Sequence, residues 1–346
     1  MREIVEKVNL DWNQLPFDYM KTDGNVQYAY RDGKWDEGKV VEEDKISISI
    51  ASTCLHYGQE VFEGLKVFEA RDGRVLAFRP DENGKRLEHS GKKLFMATPT
   101  ADMFMEAVER VVKVNRRFIP PYGTGAALYL RPLLIGVTGT VGIKPSKEYD
   151  FIVLATPVGP YFKGGMKPIR LLVEEVIDRA APDGVGDVKT GGNYAAGLRG
   201  MAKAREAGFA EALYLDAKEK KFVTETGASN FFGITKDGKY VTPKCDTILR
   251  SITNMSLMQI AKDLGLQVEH RPVPVEELAS FAEAGAVGTA AVITPVCVLG
   301  YKGKEIRLTR DDEIGPWTQK LYDRLVEIQR GDVEDTHGWT HEIAVD

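Results

Sequence analysis

The stretch Val158-Gly-Pro-Tyr161-Phe-Lys-Gly-Gly165 decides the fold class, because it cuts the chain near its middle. It is short and dense in Gly and Pro, the composition of a linker, yet it carries two aromatic rings that a bare spacer does not need. A chain of 346 residues exceeds one small core and suits two packed domains around such a break. Upstream of the linker the pattern is mostly strand. Residues 26–30 run through Asp32-Gly33 into a short polar-aromatic segment, which reads as a hairpin, and residues 45–50 are β-branched and alternating. Residues 65–69 and 74–78 flank Arg71-Asp72-Gly73, a second hairpin with suitable turn chemistry. Over residues 101–118 the period changes. Phe104, Val108, Val111 and Val112 form one apolar stripe, so this segment is expected to be a helix. Strands follow at residues 127–135 and 151–156, separated by Gly136-Val-Thr-Gly139-Thr-Val-Gly142, a mobile-loop composition.

Downstream of the linker, residues 169–176, 211–216 and 231–235 read as strands. Helices are expected at residues 195–207, stopped by Gly208; around 255–264, stopped by Gly265; and at 317–330, stopped by Gly331. The last of these presents Trp317, Leu321, Leu325 and Ile328 on one face. No regular βαβα rhythm and no internal repeat are visible, which favours α+β over a doubly wound sheet.

Composition excludes several function classes. Lys and Arg number 46 against 51 Asp and Glu, a net charge of −5, and no block is dense in Lys or Arg. A nucleic-acid or anionic-membrane surface is therefore not expected. Apolar residues at 43% and charged residues at 28% describe an ordinary globular chain, and apolar runs such as residues 151–156 are too short to cross a bilayer. The segment MREIVEKVNLDWNQLPF holds acids and no apolar signal core, so export is not expected. Three cysteines, Cys54, Cys245 and Cys297, without a C-x-x-C pair fit a reducing cytosol and no structural zinc. His337 and His341 stand four apart but read as part of a polar tail, not as a metal site.

Dinucleotide, P-loop, zinc-protease and serine-hydrolase signatures are absent. The unusual segment is Asp187-Val-Lys189-Thr-Gly-Gly-Asn-Tyr194, where a lysine precedes a Gly-Gly pair and a helix start. Such a lysine is commonly a solvated loop residue. Once burial lowers its pKa, it can instead form a Schiff base, with the glycines letting backbone approach a flat cofactor. Thr224-Glu225-Thr-Gly-Ala-Ser-Asn230 reads either as turn chemistry or as a carboxylate facing a heterocyclic nitrogen, the partner that pyridoxal phosphate needs. Arg86, Ser251-Ile252-Thr253 ahead of a helix, and Thr289 could each contribute to a phosphate site.

Together these pieces resemble the branched-chain amino-acid aminotransferases, pyridoxal-phosphate enzymes of fold type IV. The resemblance rests on His56-Tyr-Gly-Gln-Glu-Val-Phe62-Glu-Gly-Leu-Lys66, Phe78-Arg-Pro-Asp-Glu-Asn83-Gly-Lys-Arg86-Leu and Leu128-Tyr129-Leu-Arg131-Pro. It continues through Pro157-Val-Gly-Pro-Tyr161-Phe, Lys189-Thr-Gly-Gly-Asn-Tyr194, the 224–230 segment and Gly288-Thr-Ala-Ala-Val-Ile-Thr-Pro295. The resemblance implies a small N-terminal α+β domain over residues 1–157, a linker over 158–168 and a larger C-terminal α/β-barrel-like domain over 169–346, with the cofactor at their junction.

It also implies roles. Lys189 would be the catalytic lysine joined to the cofactor, Glu225 the partner of its pyridine nitrogen and Tyr194 the phenol beside its ring hydroxyl. Arg86, Ile252, Thr253 and Thr289 would hold its phosphate. Tyr57, Phe62, Tyr129, Arg131 and Tyr161 would surround the substrate, and backbone groups at Thr289 and Ala290 would take its α-carboxylate. The implied reaction moves the amino group of leucine, isoleucine or valine to 2-oxoglutarate, giving glutamate, in a cytoplasmic homodimer whose residues near Tyr57 reach the neighbouring subunit's site. D-amino-acid transaminase and aminodeoxychorismate lyase share the fold, but the Tyr129-x-Arg131 pair and the Tyr161-Phe162 linker favour the branched-chain group. A non-catalytic cofactor carrier would not need Lys189, Glu225 and Tyr194 together. Two departures stand out. Arg250-Ser251 replaces the Pro-Gly common ahead of the phosphate turn, which leaves the donors of that turn open. Ala291-Val-Ile-Thr294 replaces the C-x-x-C of some animal relatives, so no thiol switch is expected there.

Overall fold

A computed structural model describes residues 6–161 and 165–345, so the linker aromatic Phe162 lies outside the described residues. The chain divides into two compact units: Met1–Lys163 with Val188–Gly191 and Glu327–Asp346, and Gly164–Asp187 with Gly192–Val326.

The first unit is built on a nine-stranded sheet. Its centre is the antiparallel pair Ala127–Gly136 and Tyr149–Val158, in register along the full length of both strands. Asn25–Arg31 continues the sheet on one side and Leu65–Glu69 on the other. Both expected hairpins form, with Asp32 at φ 50° and Gly33 at φ 80° in the first and Gly73 at φ 81° in the second. These left-handed angles explain Asp32-Gly33 in the first turn and Gly73 in the second. The expected helix spans Ala101–Val114, with a short 3-10 turn at Arg116–Phe118, and Thr100 caps its start by accepting from the Met103 N–H at 3.2 Å. Phe104, Val108, Val111 and Val112 are all buried against Val26, Phe151 and Val153 of the sheet. Each such side chain contributes about 1.5–3 kcal/mol by leaving water.

Three features differ from the sequence reading. Pro80–Lys93 is a helix that the apolar pattern does not reveal, because its buried face carries Asn83, Arg86 and Ser90 beside Leu87. Residues 45–50 form no strand, and Ile46 and Ile50 are exposed. Alternating β-branched residues make a strand only where a neighbouring edge offers ladder partners, and among the described residues none pairs with this segment. The segment read as a polar tail contains the strand Thr340–Glu342, which pairs with Val75–Phe78. Gly136 ends the strand, and the segment beyond it to residue 142 does form a loop, tied down where the Thr138 hydroxyl accepts from the Lys147 and Glu148 N–H groups at 2.9 and 3.0 Å.

The second unit is a ten-stranded mixed sheet. Ile169–Glu174 lies between two parallel neighbours, Val292–Tyr301 and Glu211–Leu215, while most remaining pairs are antiparallel. Val273 and Val223 at one end of the strand order share a core with Val241 and Phe231 toward the other. A sheet whose distant strands bury one common interior is curled, as in a barrel. Helix Gly191–Glu206 begins four residues before the point read from the sequence. Its Gly200 allows close packing, since an added Cβ would lie 2.0 Å from Tyr214 Oη. Burial pushes that phenol up to about 12.

Candidate active site

In the first unit the site begins with Lys189. Its carbonyl accepts from the Phe62 N–H at 3.0 Å, and its own N–H donates to Ser90 Oγ at 3.1 Å. Next to it, the Thr190 hydroxyl at 3.1 Å and the Gly191 N–H both donate to the Glu60 carboxylate, whose pKa is raised by burial. The lysine segment is thus fixed by side chains and a strand, and the Lys189 ammonium lies 4.9 Å from the centre of the Phe62 ring. That face-on position suits an ammonium or the planar group that replaces it.

Strand alternation puts Tyr129 and Arg131 on one face, and the structure joins them: Arg131 Nη2 donates to Tyr129 Oη at 3.1 Å. The guanidinium is 4.9 Å from the Phe62 ring centre and 5.4 Å from that of Tyr129. Its Nε is buried with no hydrogen-bond partner among the described residues. A buried donor left without an acceptor costs about 1–3 kcal/mol, and an anionic ligand is one group that could meet it. Gly64 makes the arrangement possible, since a Cβ there would stand 2.0 Å from Tyr129 Oη. Phe17, which sequence reasoning passes over, packs edge-on to Tyr129 at 5.4 Å and to Tyr161 at 5.8 Å and so gathers the two tyrosines. No local pattern around Phe17 signals this, because the contact is purely tertiary.

Arg86 is buried in a two-pronged ion pair with Glu63, Nε–Oε1 and Nη2–Oε2 both at 2.7 Å, and Asn83 donates to the same carboxylate at 2.7 Å. This fixes the plane of the guanidinium. Tyr57 has a different setting. It ends the helix Thr53–Tyr57, is exposed, and donates its hydroxyl to the Val141 carbonyl.

In the second unit Glu225 is the centre. The carboxylate is buried on strand Phe222–Thr226; Oε1 accepts from the Leu249 N–H and from Arg179 Nη2, both at 2.9 Å, and Oε2 accepts from Asn230 Nδ2 at 2.9 Å. Asn230 also donates to the Leu249 carbonyl at 3.0 Å, so the acid and the approach to the next helix are tied together. Arg179 belongs to none of the motifs. That next helix, Ile252–Asp263, follows the altered turn. Ser251 is its N-cap, accepting from the Asn254 N–H at 3.2 Å, with Ile252 and Thr253 as the first buried helical residues. A helix start directs its leading N–H groups outward, as an anion site requires. Tyr194 lies half-buried in the first turn of Gly191–Glu206. Thr289 and Ala290 form the turn between Phe281–Gly288 and Val292–Tyr301, where Val292 takes φ 64°, an unusual angle for a β-branched residue. The structure therefore brings Lys189, Phe62, Tyr129, Arg131 and Tyr161 into one set, and Glu225 and the 249–253 segment into another.

The class IV aminotransferase family matches residues 60–299. The branched-chain-amino-acid aminotransferase of Haemophilus influenzae is 48% identical over 337 residues, covering 96% of this chain and 98% of that protein. A chloroplastic branched-chain amino acid aminotransferase of Humulus lupulus is 40% identical, covering 99% and 84%. Among solved structures, the branched-chain amino acid aminotransferase from Escherichia coli aligns with a TM-score of 0.74 at 28% identity, covering 93% of this chain and 99% of that one. A T.th. branched-chain amino acid aminotransferase complexed with N-(5'-phosphopyridoxyl)-L-glutamate aligns with a TM-score of 0.78 at 27% identity, covering 93% and 99%. With residues 60–299 matched as a whole and relatives this similar along nearly the full length, the chain belongs to the class IV aminotransferases and, within them, to the branched-chain-amino-acid aminotransferases.

Proposed function

We propose that the protein transfers the amino group of L-leucine, L-isoleucine or L-valine to 2-oxoglutarate, with pyridoxal 5'-phosphate as its cofactor. One observation carries the reading: a guanidinium, Arg131, held between the faces of Phe62 and Tyr129 with a buried donor unmet. The aromatic faces suit an apolar side chain, and the cation suits the distal carboxylate of glutamate, so one wall serves both substrates.

The residues fit the cofactor by the chemistry of their donors. A capped helix start with Ile252 and Thr253 suits a phosphate, a buried carboxylate at Glu225 suits a ring nitrogen, and a lysine on an aromatic face suits a carbonyl carbon. When bound, pyridoxal phosphate supplies the carbonyl that takes up the amino group and the electron-poor ring that eases loss of the Cα proton. Lys189 then carries that proton to and from the substrate Cα. Glu225 keeps a proton on the ring nitrogen, and Tyr194 sets its phenol beside the ring oxygen. Arg86, Ile252, Thr253 and Thr289 hold the phosphate, and the backbone at Thr289 and Ala290 receives the α-carboxylate. Phe62, Tyr129, Tyr161 and Arg131 enclose the side chain.

Within the same reading the sequence divides as 1–157, 158–168 and 169–346, with residues 188–191 and 327–346 returning to the first unit, and the protein is a cytoplasmic homodimer in which Tyr57 lines the neighbouring copy's substrate site. Support for the dimer comes from Ile50, Leu55, Val141 and Ile143, large apolar side chains that stand exposed on the first unit. For the compartment, support comes from the three cysteines, all free.

The test is the visible absorption of the purified, cofactor-loaded protein before and after L-leucine. A shift of the band with L-leucine, reversed by 2-oxoglutarate, is expected. A response to D-alanine and none to L-leucine would replace this reading with that of a D-amino-acid transaminase.

A further inference from the structure

Lys66 plays no part in the roles assigned above, yet only 8% of its surface is exposed. A buried ammonium is costly to keep charged, so its state depends on the groups packed around it and on any ligand beside it. It lies on strand Leu65–Glu69 directly opposite Tyr129. Residues directly paired across antiparallel strands share a face. Lys66 and Arg131 therefore flank the Tyr129 phenol on the same side of the sheet, with Gly64 clearing the space for its hydroxyl. The Lys66 ammonium stands 5.9 Å from the centre of the Phe17 ring, the same ring that packs against Tyr129 and Tyr161. It thus borders the aromatic set that encloses the substrate side chain.

We propose that Lys66 is a specificity-determining residue, the second cation that, with Arg131, receives the distal carboxylate of the dicarboxylate substrates. The inference rests on the substrate reading given under Proposed function. A proton linkage follows from it. Burial, helped by the positive charge of Arg330, lowers the Lys66 ammonium to about 8. On the sheet face that Lys66 shares, its cross-strand partner is Tyr129, and the next charged side chain along that strand is Arg131. A carboxylate arriving next to the amine favours its charged form. Glutamate or 2-oxoglutarate therefore brings a proton in with it, whereas leucine does not.

The test compares glutarate with 4-methylvalerate by titration calorimetry of the cofactor-loaded enzyme at about pH 8, in Hepes and in Tris, whose ionisation enthalpies differ. The parent protein should take up a fraction of a proton, about half, with glutarate and none with 4-methylvalerate. Lys66→Met should abolish the uptake and weaken glutarate about tenfold or more, leaving 4-methylvalerate within about twofold. Lys66→Arg, charged throughout, should keep glutarate affinity without proton uptake. Equal proton uptake for the two ligands in the parent, which needs no variant to fold, overturns the proposal. So does an equal loss of both ligands in Lys66→Met. If the parent binds glutarate with its proton but gives no amino transfer from L-leucine, the substrate reading falls and the assignment of Lys66 as a carboxylate receiver stands.

Discussion

In the proposed reaction Lys189, Glu225 and Arg131 would each carry one separable chemical step, so single substitutions should fail in different ways. Lys189→Ala should fold, and its turnover should drop by several orders of magnitude, because the carrier of the Cα proton is gone. Borohydride treatment of the parent followed by peptide mapping should find the cofactor fixed to Lys189, and a label on another lysine would end the assignment. Glu225→Gln keeps the side chain's size but removes its charge, and it turns one of the two acceptors that meet Leu249, Arg179 and Asn230 into a donor. Turnover should fall much further than cofactor affinity, measured by fluorescence titration. Arg131→Leu should cripple the half-reaction with glutamate, which loses a charge-assisted pair of about 1.5–3 kcal/mol, and change that with leucine far less. Single-turnover rates with the two donors check this, and equal losses would leave Arg131 a purely structural role. Lys189, Glu225 and Arg131 stand out in the sequence because each sits in a short motif with a chemical reason. Phe17, Glu60, Lys66 and Arg179 do not, because what they do depends on neighbours far away along the chain.

Periodicity found those elements with apolar inner faces and missed those without. Ala101–Val114 shows its stripe because Phe104, Val108, Val111 and Val112 pack on a sheet. Pro80–Lys93 shows none, since its inner face is given over to Asn83 and Arg86 meeting a buried carboxylate. Polar function erases the pattern that would announce the helix. Residues 45–50 illustrate the reverse error, a strand-like composition without an edge to join. Helix Ile252–Asp263 offers a test at this scale. Ser251→Ala removes the hydroxyl that accepts from Asn254 and should cost about 1 kcal/mol. Because the cap also shapes the helix start proposed to hold the phosphate, the melting temperature and the cofactor affinity should fall together. A lower melting temperature at unchanged affinity would remove this helix from the phosphate site.

For the whole protein, the exposed apolar residues give a direct prediction about assembly. Ile50 and Val141 are each 89% exposed, and the 51 and 140 backbones are hydrogen-bonded, so the two side chains belong to one tied region. If the proposed dimer forms through this region, Ile50→Asp combined with Val141→Asp should leave the protein a monomer in sedimentation velocity, with loss of activity if Tyr57 serves the neighbouring copy. A dimer that survives both charges would place the interface elsewhere.

The division of the chain has a further effect, on how the protein can be taken apart. Residues 188–191 and 327–346 return to the first unit after long excursions through the second, bringing Val188 into its core and Thr340–Glu342 onto its sheet. Neither unit is therefore a continuous length of polypeptide. A gene cut at the linker would yield an N-terminal fragment missing an edge strand and the lysine itself, and a C-terminal fragment ending in a strand with no sheet to join. The linker therefore marks a boundary in the sequence but not one between two complete units.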